Sequence, residues 1–277
     1  MEIQWPLVIF SLFAGCGGGL LAFLAYGEIK GIGRSARFKG ALIALAVIFV
    51  GGFASLLHLG NPSNIMAAAA NIGSLSGISL ELISVGLSLI AGAVYAVGIK
   101  REAKPFALKA MAAIAGTLGV VLAFVTGNGY VMISQPNWNS IALPLCYLAS
   151  GLTMGGAVYA ALLFFAKNKQ KAAGEGFTGV TLIVIILAAI QAVIFLAYAA
   201  ITGFVADVAA FWICAVIIGC AGTILCAFFT RKKAEVVGAG AVCAVIGGLG
   251  IRCAMWIMGT GWISLFTTIA TRGVLGL

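Results

Sequence analysis

GEIKGIGRSARFKGALIALAVIFVGGFASLLHL, Gly27 to Leu59, carries the pattern that decides the fold. Lys30, Arg34, Arg37 and Lys39 crowd into its first half. An apolar run of about 20 residues follows, the length a helix needs to cross the hydrocarbon core of a bilayer. The run has no alternation of polar and apolar positions, so it does not read as a half-buried strand. It ends at His58, the only histidine in the chain, where Gly, Asn and Pro take over.

The same unit repeats on both sides of this stretch. The chain has 277 residues, of which 63% are hydrophobic and 8% charged, where a soluble domain carries about 25% charged residues. Apolar runs lie near 5–26, 39–59, 78–99, 106–126, 141–166, 177–202, 207–229 and 236–258. The expected fold class is all-α: a polytopic integral membrane bundle of eight transmembrane helices, forming a single membrane domain over 1–277. A membrane β-barrel needs short alternating segments, and none occur. The opening MEIQWPLVIF has no basic stretch and carries Glu2, so the first run reads as a retained span. The tail from Gly259 is too interrupted for a ninth span and is expected to lie along the interface, with Trp262 as an anchor.

Charge placement gives an orientation. Of the 16 Lys and Arg residues, all but Arg252 and Arg272 fall in four clusters: Lys30 to Lys39, Lys100 to Lys109, Lys167 to Lys171, and Arg231 to Lys233. These clusters occupy alternate loops. Basic loops face the cytoplasm, so both termini are expected outside, in a multi-pass protein of a bacterial cytoplasmic membrane. The net charge of +9 is thus assigned to anionic lipid and not to nucleic acid. The seven cysteines lie in apolar segments without a CxxC pair and read as packing residues.

Ionisable groups inside the apolar runs are few, and each is a functional candidate because burial in lipid is costly. His58 ends the second run, Glu81 opens the third, and Arg252 lies in the eighth. The topology brings all three to the outer half of the membrane. One histidine excludes a bis-histidine haem, and no metal-ligand cluster is present. An imidazole and a carboxylate beside apolar walls suit a hydroquinone, whose two hydroxyls each need a proton acceptor. Tyr130 and Trp138, in the uncharged loop GNGYVMISQPNWNS, are candidate walls, and Asn61 a candidate polar contact. Arg252 is expected to hold the Glu81 charge or to orient the headgroup. The alternative for each is structural: an interfacial histidine, a helix-start carboxylate, a snorkelling arginine, belt aromatics.

WPLVIFSLFAGCGGG at Trp5–Gly19, GGFASLLHLGNPSNIMAAAANIGSLSGISLE at Gly51–Glu81, GYVMISQPNWNSIALPL at Gly129–Leu145 and GLGIRCAMW near Arg252 together resemble the membrane anchor subunit of dimethyl sulfoxide reductase, related to polysulfide-reductase-like anchors. The HLG-x-P core, His58–Pro62, is the most specific part. The resemblance implies a haem-free anchor that binds menaquinol near the outer face, with His58 and Glu81 at the quinol site. It further implies electron transfer to an iron–sulfur subunit, which feeds a molybdopterin catalytic subunit. Gly247 or Gly248 stands where that pattern has an acidic residue before the arginine, and Gly127–Gly129 where it has a basic one. Two other classes remain open on the residues: a small-molecule transporter, suggested by 38 glycines that permit close helix packing, and a purely structural anchor.

Overall fold

The computed structural model describes residues 2–57, 70, 72–74, 76–166, 175–203 and 206–259. Eight of its helices are long and apolar enough to cross a membrane, and no strand occurs among the described residues. They are α1 (Trp5–Lys30), α2 (Arg37–Leu56), α3 (Gly77–Lys100), α4 (Pro105–Asn128), α5 (Ala142–Ala166), α6 (Glu175–Thr202), α7 (Ala206–Phe229) and α8 (Val237–Met258). His58 and Asn61, together with Trp262 and the rest of the tail beyond Gly259, lie outside the described residues.

Local sequence signals set the helix ends. Pro6 and Pro105 stand in the first turns of α1 and α4, where a missing backbone donor costs nothing. Ser76 caps α3 by accepting from the Ser79 backbone N–H at 3.3 Å. Gly31 ends α1 at φ +70°, and the Ile32 N–H returns to the Gly27 carbonyl at 2.7 Å; this left-handed closure suits a residue without Cβ.

Packing is inside-out relative to a soluble protein. Phe49, Phe53, Ile90, Ile114, Phe165 and Val193 are exposed, while Ser11, Ser88, Thr126, Ser150, Thr153 and Gln191 are buried. Lipid tails solvate the apolar surface, so helix association rests on close packing and on hydrogen bonds between helices. α1 is the most enclosed helix; α2, α4 and α5 pack around it, α3 closes on α2 and α4, and α6 to α8 continue from α5.

The run AGCGGG in α1 makes that centre possible. Successive helical residues point about 100° apart, so three consecutive glycines address three neighbours. A Cβ at Gly17 would meet the Ala44 carbonyl of α2 at 2.9 Å. Gly18 lies on Gly119 of α4, and Gly19 on Gly151 of α5. At the end of the bundle that carries the basic loops, Arg37 donates to both Glu28 carboxylate oxygens at 3.2 and 3.3 Å, and the Tyr95 hydroxyl donates to one of them at 3.0 Å. These contacts fix the α1–α2 turn to α3.

Candidate functional site

The opposite end of the bundle, away from the basic loops, assembles the candidate site. Glu81 lies in the second turn of α3, just inside the Ser76 cap. Its carboxylate rests on the backbone that leaves α4: a Cβ at Gly129 would sit 2.6 Å from Glu81 Oε1. Gly77 packs on the same glycine, its Cβ position 3.2 Å from the Gly129 Cα. The sequence needs glycine at 129 because of this close approach; its backbone, at φ −59° and ψ −20°, is ordinary helical geometry. Among the described residues, no side chain donates a hydrogen bond or forms an ion pair to Glu81; the salt bridge present there is Arg37–Glu28.

The next residue, Tyr130, begins a buried aromatic group. Its ring lies 6.0 Å from Trp138, 5.8 Å from Tyr147 of α5 and 5.8 Å from Trp256 of α8. Trp138 and Trp256 meet edge to face at 5.1 Å, an arrangement favoured by the ring quadrupoles. The loop that carries these rings is tied down at three points. Trp138 Nε1 donates to the Met255 carbonyl at 2.8 Å, Asn137 Nδ2 to the Met258 carbonyl at 2.7 Å, and the Tyr198 hydroxyl of α6 to the Asn137 carbonyl at 2.8 Å. Burial first, then the nearby Tyr147 and Glu81, push the Tyr130 phenol well above its ordinary range, against a lowering contribution from Arg252. At neutral pH it is a hydrogen-bond donor.

Arg252 lies at the centre of this half of the bundle and is fully buried. Its Nε donates to Ser11 Oγ at 3.1 Å and its Nη2 to the Ser11 carbonyl at 3.1 Å. Nη1 donates to Ser150 Oγ at 3.1 Å and to the Gly248 carbonyl at 2.7 Å. The guanidinium carbon lies 4.4 Å from the centre of the Tyr147 ring, within cation–π range. Gly15 leaves it room, since a Cβ there would stand 3.1 Å from Nη2. The expectation that Arg252 holds the Glu81 charge is therefore corrected: two serines, a carbonyl of its own helix, a carbonyl of α1 and an aromatic face satisfy the guanidinium, and among the described residues it forms no ion pair with Glu81.

Of the residues singled out from the sequence, Glu81, Tyr130 and Trp138 thus come together, and Arg252 stands one ring behind them. Tyr147 and Trp256 complete the group and were not anticipated. The available signal was helical spacing: Trp256 follows Arg252 by four residues and Ser150 follows Tyr147 by three, so each pair shares a face. Among the described residues, no three His, Cys, Asp or Glu side chains converge to hold a metal ion.

The fold and this site define a multi-pass helical membrane protein with a polar and aromatic cluster at one end. The chain belongs to the family described as DMSO reductase anchor subunit (DmsC), whose sequence model matches residues 1–251. That match takes in Glu81, Tyr130, Trp138 and Tyr147 and stops one residue before Arg252. The protein is similar to the C subunit of the anaerobic dimethyl sulfoxide reductase of Escherichia coli (strain K12), 28% identical over 166 residues, 58% of this chain and 57% of the relative. It is also similar to the YnfH subunit of an anaerobic dimethyl sulfoxide reductase of the same organism, 26% identical over 168 residues, 59% of this chain and 59% of the relative. The matched region thus spans a little under three fifths of the length of these relatives.

Proposed function

We propose that this chain is the membrane anchor of a respiratory reductase and oxidises menaquinol at the end of its bundle away from the basic loops. The observation that carries the reading is the Glu81 carboxylate: it stands against Gly129 beside buried aromatic rings, with no partner among the described residues. A carboxylate so placed is a ready acceptor for a quinol hydroxyl, and the rings around Tyr130 and Trp138 offer a flat apolar wall for the headgroup. Oxidation of one hydroquinone releases two protons and two electrons. Glu81 takes one hydroxyl proton and His58 the other. The electrons pass to the iron–sulfur cluster of a partner subunit docked at this end, which supplies a molybdopterin catalytic subunit. Asn61 contacts the headgroup or orients His58. The basic loops face the cytoplasm, so both termini, the site and the released protons lie outside.

The test is titration of a fluorescent quinol-site inhibitor into membranes holding the assembled complex, comparing wild type with His58→Ala and Glu81→Gln. Loss of binding with normal assembly supports the site. Unchanged binding in both variants returns the chain to a purely structural anchor. Substrate uptake by vesicles lacking partner subunits would instead favour a transporter.

A further inference from the structure

Among the described residues, the bundle holds a buried positive charge with no carboxylate beside it. Arg252 is fully buried, and among the described residues the ionisable side chains near it are Tyr147, Tyr130, Cys16 and Cys146, phenols and thiols with no carboxylate. A structural tie between α1, α5 and α8 needs hydrogen bonds, which a neutral side chain supplies at far lower desolvation cost. A guanidinium kept here holds its full charge in a medium that screens poorly.

The charge has a route toward the site. Its Cζ stands over the Tyr147 ring at 4.4 Å, and that ring lies 5.8 Å from Tyr130. Laid end to end, these separations keep the guanidinium within about 10 Å of the Tyr130 ring. The Tyr147 hydroxyl is buried beside Ser11, whose own hydroxyl donates to the Val8 carbonyl and accepts from Arg252.

Resting on the quinol reading above, we propose that Arg252, seated against Tyr147, is a positioning residue whose fixed positive charge favours an anionic headgroup beside Tyr130. That is the form a quinol takes when its first hydroxyl proton has left to a base. Two unit charges about 10 Å apart at an effective dielectric near 20 shift an equilibrium by roughly tenfold. The charge lowers the barrier to the first deprotonation without touching the quinol.

The test uses two ligands of one shape in membranes holding the assembled complex: a long-tailed 2-hydroxy-1,4-naphthoquinone, anionic at neutral pH, and its neutral 2-methoxy counterpart. In Arg252→Gln, affinity for the anion falls about tenfold while that for the neutral ligand stays within about twofold. Arg252→Lys keeps the charge and restores anion binding. Ser11→Asp is the second variant, since it neutralises Arg252 in place and gives the buried guanidinium a partner, so the bundle is retained; it too selectively weakens the anion. Equal weakening of both ligands, or an unchanged anion affinity in both charge-removing variants, overturns the proposal. Wild-type membranes that bind neither ligand overturn the quinol reading itself, and this inference with it.

Discussion

Gly129→Ala separates the site from the fold more cleanly than removal of any functional side chain. The backbone at 129 is helical, so alanine fits without strain, and the loss of freedom in the unfolded chain favours the variant by about 0.4–1 kcal/mol. The added methyl carbon, however, would lie 2.6 Å from Glu81 Oε1, where ordinary contact begins at 3.4 Å. The carboxylate must therefore retreat by roughly 0.8 Å, enough to stretch a 2.8 Å hydrogen bond beyond bonding range. Losing one charge-assisted hydrogen bond to a quinol hydroxyl costs about 1.5–3 kcal/mol, or roughly 10- to 150-fold in affinity. The assay is titration of the quinol-site inhibitor together with thermal unfolding of the purified complex. The expected result is weaker binding at equal or slightly higher thermal stability. Combined with Glu81→Gln, the alanine adds little further loss, because both changes act on one contact. Wild-type affinity in Gly129→Ala, or additive losses in the double variant, would refute the reasoning.

Other outcomes follow from the same contacts. Gly19→Val drives a branched side chain into the Gly151 backbone and is expected to abolish accumulation of the protein in the membrane, read by quantitative immunoblotting. Trp138→Phe removes the indole donor to the Met255 carbonyl but keeps an aromatic ring; a loss of about 1 kcal/mol is expected, seen as a lower thermal midpoint with inhibitor affinity reduced less than in Glu81→Gln. Tyr130, with its phenol held above the usual range, is protonated in the folded protein while an unfolded tyrosine ionises near about pH 10. Its contribution to stability is therefore complete below that pH and declines above it, and Tyr130→Phe is expected to flatten part of the alkaline fall in thermal midpoint. Arg252→Met, which exchanges a buried charge for apolar volume, is expected to assemble better than Arg252→Ala, which leaves a cavity beside Gly15 and Ser150.

How much of this was legible in the sequence depends on the range of the interaction involved. Eight membrane-length helices could be read directly, because hydrophobic length, a Pro in the first turn and a terminal glycine act within a few residues of one another. The depth of Glu81, near the start of its helix, was equally local. The partners of Arg252 were not. Ser11 and Ser150 lie 241 and 102 residues away in sequence, and no local pattern distinguishes those two serines from Ser88 or Thr126. Glu81 was the natural counter-charge to expect, since the sequence places both groups toward the ends of their apolar runs away from the basic loops. Depth fixes one coordinate of a side chain, and rotation about the helix axis fixes whom it meets.

The seventh span makes the same point about backbone. Its run ICAVIIGCAG, Ile213–Gly222, is as apolar as any other, yet it winds as a π-helix. Gly219 lies there against Gly247 of α8, and Gly250 of α8 against the Phe211 carbonyl. The sequence by itself determined that this segment is helical and of membrane length, because an unpaired backbone is too costly in lipid for anything else. Only the tertiary structure decided its winding, the aromatic group around Tyr130 and the seat of Arg252. Each depends on which helix faces which, and in a bilayer that choice is made by close packing of small residues and not by a hydrophobic face that the sequence could reveal.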